Sequence, residues 1–407
     1  MIDTSRRDAT GRAAFSPQTS GTVAAAGGFA ARLGLFFAAL FVLVGIVTPF
    51  FPVWLAAKGL DSGQIGLVLA APLLVRIAAV PLAARLADRR GALREALIAV
   101  CFATAVAYVA VALADGFVAI LAAVVLMAIV NAPAIALTDA YALRGLKDSG
   151  RAYGPVRLWG SLAFIVANIG AGLTLDILPA RHLIVLILAA AAMVALAALI
   201  LSPIRPTAAA PAHGERARDL LRQPVFLAVI VAAGLVQSSH AVYHGFSTIA
   251  WSAAGFDGLT IGLLWALGVA AEIVLFALSG WLPPACGPLV LLLIGAAGAV
   301  LRWTAMAFDP PGWALPALQI LHALSFGATH LGTVGFLAQA ASERLGATAQ
   351  GLFYLALSPL MAVTMGASGF LYAAYGAGAY AAMALAAAVA LVLTAFALRA
   401  NPAQRQA

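Results

Sequence analysis

One feature constrains this chain more than any other. Apolar runs of about 20 residues, each long enough to cross a hydrocarbon layer of roughly 30 Å, follow one another from end to end with short polar breaks. Twelve are read, over residues 31–57, 63–86, 95–114, 118–143, 154–175, 182–202, 223–252, 259–281, 288–308, 313–341, 346–372 and 378–398. Composition agrees: 64% of residues are hydrophobic and 9% charged, where soluble domains carry about 25% charged residues. The expected fold class is an all-α polytopic membrane protein with twelve transmembrane helices.

The formal net charge of +8 is informative through its distribution. With the N-terminus inside, the cytoplasmic segments collect Arg6, Arg7, Arg12, Arg32, Arg85, Arg89, Arg90, Arg94, Arg144, Lys147, Arg151, Arg205, Arg216, Arg218, Arg222, Arg344, Arg399 and Arg405, while Lys58 and Arg181 fall on the other side. That asymmetry is the positive-inside pattern for both termini in the cytoplasm, and it accounts for the charge without a nucleic-acid partner. Residues 1–30 hold arginines among Ala, Ser, Thr and Gly and read as a disordered cytoplasmic tail, not a cleaved signal peptide. Cys101 and Cys286 indicate neither a disulfide framework nor a metal cluster.

The chain repeats itself. "QIGLVLA" opening the second span and "TIGLLWA" opening the eighth align at a constant offset, as do Gly91 and Gly287. The stretch "SPIRPTAAAPAHGERARDLLRQP" between the sixth and seventh spans is Pro-rich, charged and long, as a linker is. The expected organisation is a bundle over 31–202, a linker over 203–222, a pseudo-symmetric bundle over 223–399 and a tail over 400–407. Two six-helix halves with a substrate site between them near the midplane are the layout of major facilitator transporters.

"ARLADRRGALR", Ala84 to Arg94, resembles the major facilitator loop between the second and third spans, through Asp88, Arg89, Gly91 and Arg94. Ala84 replaces its leading Gly, and the second half keeps Gly280 but has Pro284 for the Asp. The resemblance implies a charge-paired latch on one closed conformation; the plain alternative is positive-inside anchoring around a Gly turn.

Charges inside spans cost a few kcal/mol each unless they face a partner or a wet cavity. They are Arg76, Asp139, Arg157, Glu272 and Arg302, with Arg76 and Glu272 at equivalent places in the two halves. "TDAYA" with "YGPVRLWGSLAF", then "QSSHAVYHGFS" and "LHALSFGATHLG", resemble the lactose-permease-like transporters, and among them the phenylpropionate permeases. The resemblance implies Asp139 and Arg157 as substrate ligands and Glu272, Arg302 and His322 as the proton-coupling group. Sugar permeases carry a second glutamate one turn after that histidine, where this chain has Ser325. His322 and His330 around Phe326 instead resemble the phenylpropionate branch.

Helical spacing places Gln319, His322, Ser325, Thr329 and His330 on one side of the tenth span, and Gln237, His240, Tyr243, His244, Ser247 and Trp251 on one face of the seventh. His240 and His244 have zinc-like spacing but no third ligand nearby, so no metal is expected; single intramembrane histidines are more often neutral hydrogen-bonding groups than proton carriers. Three intramembrane arginines against two carboxylates leave one positive charge, which suits an anionic substrate held by a planar guanidinium fork. Phe50, Phe51, Trp54, Phe164, Tyr243 and Trp251 offer aromatic faces, or serve as packing.

The expected substrate set is Asp139, Arg157, Arg76, His240, Tyr243, His330 and Trp54. The expected function is secondary active, proton-driven import of a small aromatic carboxylate across a bacterial inner membrane. It would act as a monomer, without a cofactor, enzymatic activity or a phosphate-binding loop. The alternatives are a proton-coupled sugar or nucleoside symporter, and a non-transporting relative acting as assembly factor or sensor.

Overall fold

The computed structural model describes residues 19–90, 93–149, 151–204, 217–283, 285–341 and 345–400. Its helices divide into twelve spans. The first is Thr19–Ala57, the second Ser62–Arg90 and the third Leu93–Leu113; the fourth is Phe117–Asn131 continued by Ala134–Ser149; the fifth is Tyr153–Ile177 and the sixth Leu183–Leu199. The seventh is Pro224–Ser238 continued by Ala241–Ala253; the eighth is Gly258–Leu278, the ninth Pro288–Ala307, the tenth Leu315–Ala340, the eleventh Gly346–Tyr375 and the twelfth Tyr380–Ala400. A reversal at Gly376, with φ of 54°, separates the last two.

Residues 19–30 of the expected tail are helical, a correction that follows from their alanine-rich composition, although the stretch apolar enough to cross a membrane is Gly28–Ala57. Within the expected linker, Ala217–Leu221 forms a short helix and residues 205–216 lie outside the described residues.

Three spans depart from a regular helix, each for a local reason. Pro133 has no N–H to donate, so the fourth span is interrupted before Ala134. In the seventh, the Ser239 hydroxyl donates back to Val236 O at 2.6 Å, a bond that competes with the backbone ladder and bends helices. In the tenth, Ala323–Ala328 is a π-helical segment.

The two halves pack alike. The first span lies on the fifth as the seventh lies on the eleventh, and the third on the sixth as the ninth on the twelfth. Between the halves the second span meets the eleventh and the fifth meets the eighth, the pattern a two-fold axis along the bundle requires.

Those inter-half contacts tighten at one end, the end that carries Lys58, Asp115, Asp176 and Asp257. A Cβ on Gly172 would lie 2.1 Å from Gly258 O, and one on Gly369 2.1 Å from Ser62 O. The Asp176 carboxylate accepts hydrogen bonds from the backbone N–H of Gly258 (2.5 Å) and Leu259 (3.0 Å), so an acid of the first half caps the eighth helix of the second. Asp257 accepts from Thr260 N at 2.7 Å, and the Thr260 hydroxyl together with that N–H holds its carboxyl below the usual carboxylate range. Lys58 and Asp115 form an ion pair at the same end. Toward the other end of the fifth and eleventh spans, added Cβ atoms on Gly154 and Gly351 would meet nothing within 4 Å. The halves are joined at one end and separate toward the other.

Candidate functional site

The second half holds a buried polar network centred on Arg302 of the ninth span, which is fully buried. Its guanidinium lies against the rings of both Tyr243 and Trp303, each centroid 4.6 Å away. Arg302 Nη2 donates to Gln319 Oε1 at 2.8 Å, and the Tyr243 hydroxyl donates to the same oxygen at 2.9 Å. Arg302 Nη1 is 3.0 Å from His322 Nδ1 and 3.3 Å from Ser325 Oγ.

Because arginine has only donors, these distances assign the histidine protons. His322 Nδ1 must accept, so its proton is on Nε2, the nitrogen 3.8 Å from Glu272 Oε2. Ser325 Oγ accepts from Arg302 and passes its own proton toward His240 Nε2 at 3.3 Å. His240 Nδ1 in turn donates to Val236 O at 3.1 Å. His322, with no proton on Nδ1, is therefore neutral. A hydroxyl at position 325 both accepts and donates, a double role that an ionised carboxylate lacks.

The π segment shapes what this network presents. It keeps His322, Phe326 and His330 as one stack, with ring centroids 5.1 Å and then 6.5 Å apart and planes within 17° and 9° of parallel. His322 is buried and His330 exposed, so the stack runs from the buried guanidinium toward open space. Thr329, expected beside them, is fully buried and would meet a Cβ on Gly295 at 2.2 Å, so it faces the ninth span.

The first half contributes a smaller group. Arg157, partly buried on the fifth span, has its guanidinium carbon 3.8 Å from the centroid of Phe41 and 5.6 Å from that of Phe37. Asp139, partly buried on the fourth span, accepts a 2.7 Å hydrogen bond from the Tyr153 hydroxyl. No nitrogen of Arg157 lies within 4.0 Å of that carboxylate. Arg157 acts electrostatically on Asp139 in its own half and on Glu272 and His330 in the other.

Other expected residues lie elsewhere. Arg76 is exposed on the second span, and Glu272 has His322 and Arg157 as its neighbours instead. Trp54 is buried, stacked on Phe51 at 5.5 Å with Lys58 over its ring. Asp88 and Arg89 fall in the backbone of the second helix, but their side chains, and Gly91, lie outside the described residues. Arg94 donates to Leu201 O (2.6 Å) and Leu199 O (3.2 Å), and so holds the end of the sixth span in its own half. Gln319 lies where helical spacing put it, on the polar side of the tenth span; Tyr153 and Trp303 were not expected at the site, although Tyr153 was open to detection, since it sits one turn before Arg157 on the same helical face.

Residues 30–383 match the family described as MFS_1 like family. The chain belongs to that family. It is 34% identical over 374 residues to the probable 3-phenylpropionic acid transporter of Escherichia coli (strain K12), covering 89% of this chain and 96% of that protein. It is 28% identical over 322 residues to the maltose permease of Geobacillus stearothermophilus, covering 78% and 81%. The crystal structure of the nucleoside transporter NupG superposes with a TM-score of 0.77 at 18% identity, over 91% of this chain and 98% of that one. This MFS_1-like protein has the major facilitator fold and is a multi-pass transporter of bacterial inner-membrane type, acting on a small molecule and not an enzyme.

Proposed function

We propose that this transporter imports a small aromatic carboxylate together with a proton by alternating access. The observation that carries the reading is Arg157, an intramembrane guanidinium on an aromatic floor with no carboxylate oxygen within 4.0 Å among the described residues, coupled to Glu272 and His330 of the other half. A guanidinium whose face is covered by a ring still offers its edge, a fork that matches a carboxylate. An aryl group following that carboxylate would meet Phe41 and the His322, Phe326 and His330 stack, where ring–ring contacts are each worth about 0.5–1.5 kcal/mol.

Glu272 is the proposed proton carrier. It is a partly buried carboxylate whose close neighbour, His322, is neutral, so its ionised form lacks a full counter-charge in this conformation. Arrival of Arg157 or of substrate would change that balance, which is what a group that loads and unloads protons needs. The positive-inside pattern supports a cytoplasmic position for both termini, which would make the joined end the outer one and this conformation inward-open. The name of the 34%-identical relative supports the substrate class. The likeness to a maltose permease keeps proton-coupled sugar symport as the second reading.

Binding of 3-phenylpropionate and of its amide to the purified protein tests this. The carboxylate is expected to bind at least tenfold more tightly, because the amide loses the charge-assisted pair, worth about 1.5–3 kcal/mol. Equal binding of the two, or tighter binding of a sugar, overturns the reading.

A further inference from the structure

We propose that Tyr153 is a positioning residue that holds the Asp139 carboxylate away from Arg157, so that the guanidinium is left for the carboxylate of the substrate. This rests on the reading of Arg157 as the carboxylate anchor.

An aspartate and an arginine on neighbouring intramembrane helices attract strongly, because little water screens them. Left to themselves they would pair, and a paired arginine has no fork to offer. Here they do not pair: the nitrogens of Arg157 stay beyond 4.0 Å of Asp139, and the Tyr153 hydroxyl donates to Asp139 Oδ1 at 2.7 Å. A hydroxyl bonded to a carboxylate is among the stronger neutral-donor bonds. Tyr153 also interacts with Arg157, so the phenol is in contact with both charges while its hydroxyl proton goes to Asp139.

The phenol is fixed from behind. Its ring meets Phe37 edge-on, with centroids 6.0 Å apart and an interplanar angle of 87°. Phe37 and Phe41 also form the floor beneath Arg157. One pair of rings on the first span therefore sets the positions of both the cation and the group that occupies its internal acid. Tyr153 and Arg157 are four residues apart on one helix, so their separation is set by helix geometry.

The deletion of one oxygen tests this. In Tyr153→Phe the carboxylate of Asp139 loses its donor and turns to Arg157, where it competes with substrate. The experiment is a cycle of wild type, Tyr153→Phe, Asp139→Asn and the double variant, with dissociation constants for 3-phenylpropionate and its amide. Tyr153→Phe is expected to weaken 3-phenylpropionate binding about tenfold or more in the wild-type background, but no more than about twofold when Asp139 is already Asn. The effect of Tyr153→Phe on amide binding is expected to stay within about twofold in either background, since no anion is being displaced.

An equal loss in both backgrounds would mean that the phenol touches substrate or supports the fold, and would overturn the proposal. So would an unchanged affinity in Tyr153→Phe. If wild type fails to prefer acid over amide, the anchor reading falls and this proposal falls with it; a clear preference combined with no coupling between positions 153 and 139 removes this proposal alone.

Discussion

Asp176 provides a quantitative handle on the exchange between conformations. Its carboxylate spans the two halves, accepting from Gly258 N and Leu259 N at the start of the eighth helix. Asn at 176 keeps an acceptor of the same size but removes the negative charge from the positive end of the helix. A charge in that place is worth about 0.3–1 kcal/mol at an exposed site, and Asp176 is exposed. At about 1.4 kcal/mol per tenfold change, Asp176→Asn should raise the population open at this end about two- to fivefold relative to the closed one. Spin labels at Leu113 and Phe308, exposed residues where the third and ninth spans end on this side, would report it as growth of a long-distance component. Gly172→Val should go further, since its Cβ would fall 2.1 Å from Gly258 O and the closed packing could not form unchanged. Distance distributions identical to wild type in both variants would refute the view that these contacts hold the end shut.

Three other outcomes follow from the same geometry. Arg157→Lys keeps the charge but loses the fork, so carboxylate affinity should fall about tenfold or more in calorimetric titration. Asp88→Asn should slow uptake in vesicles with little change in equilibrium binding, because the residue stands at the end of the second helix, remote from the midplane. Ser325→Ala removes the hydroxyl that links Arg302 to His240; a buried hydrogen bond of this kind contributes about 1 kcal/mol, so the variant should unfold at a measurably lower temperature in detergent.

Much of the architecture was legible because lipid makes strict demands on a sequence. Twelve long apolar runs, a charged linker and a repeated "QIG" and "TIG" opening specify two six-helix halves almost by themselves. Arg302, His322 and Glu272 stood out as polar groups in apolar spans, and the structure brings them side by side. The pairing of Arg76 with Glu272 was open on sequence symmetry, but Arg157 and His322 are the neighbours of Glu272. Other features have no local signature. The π segment at Ala323–Ala328 inserts one residue into a helical turn without any residue type that demands it. Asp176 reads as an ordinary surface acid until the halves dock. Tyr153 looks like an interfacial aromatic at a helix start, and only the fold shows that its hydroxyl reaches Asp139.

In the proposed cycle, proton movement through Glu272 drives uptake of an aromatic acid. The most direct test is accumulation of labelled 3-phenylpropionate in proteoliposomes given only an inward proton gradient, with exchange between equal internal and external pools measured in parallel. Wild type should accumulate the acid uphill and exchange it, while Glu272→Gln should exchange it and fail to accumulate it. A Gln variant that still concentrates the acid against its gradient would contradict the account and remove Glu272 as the carrier.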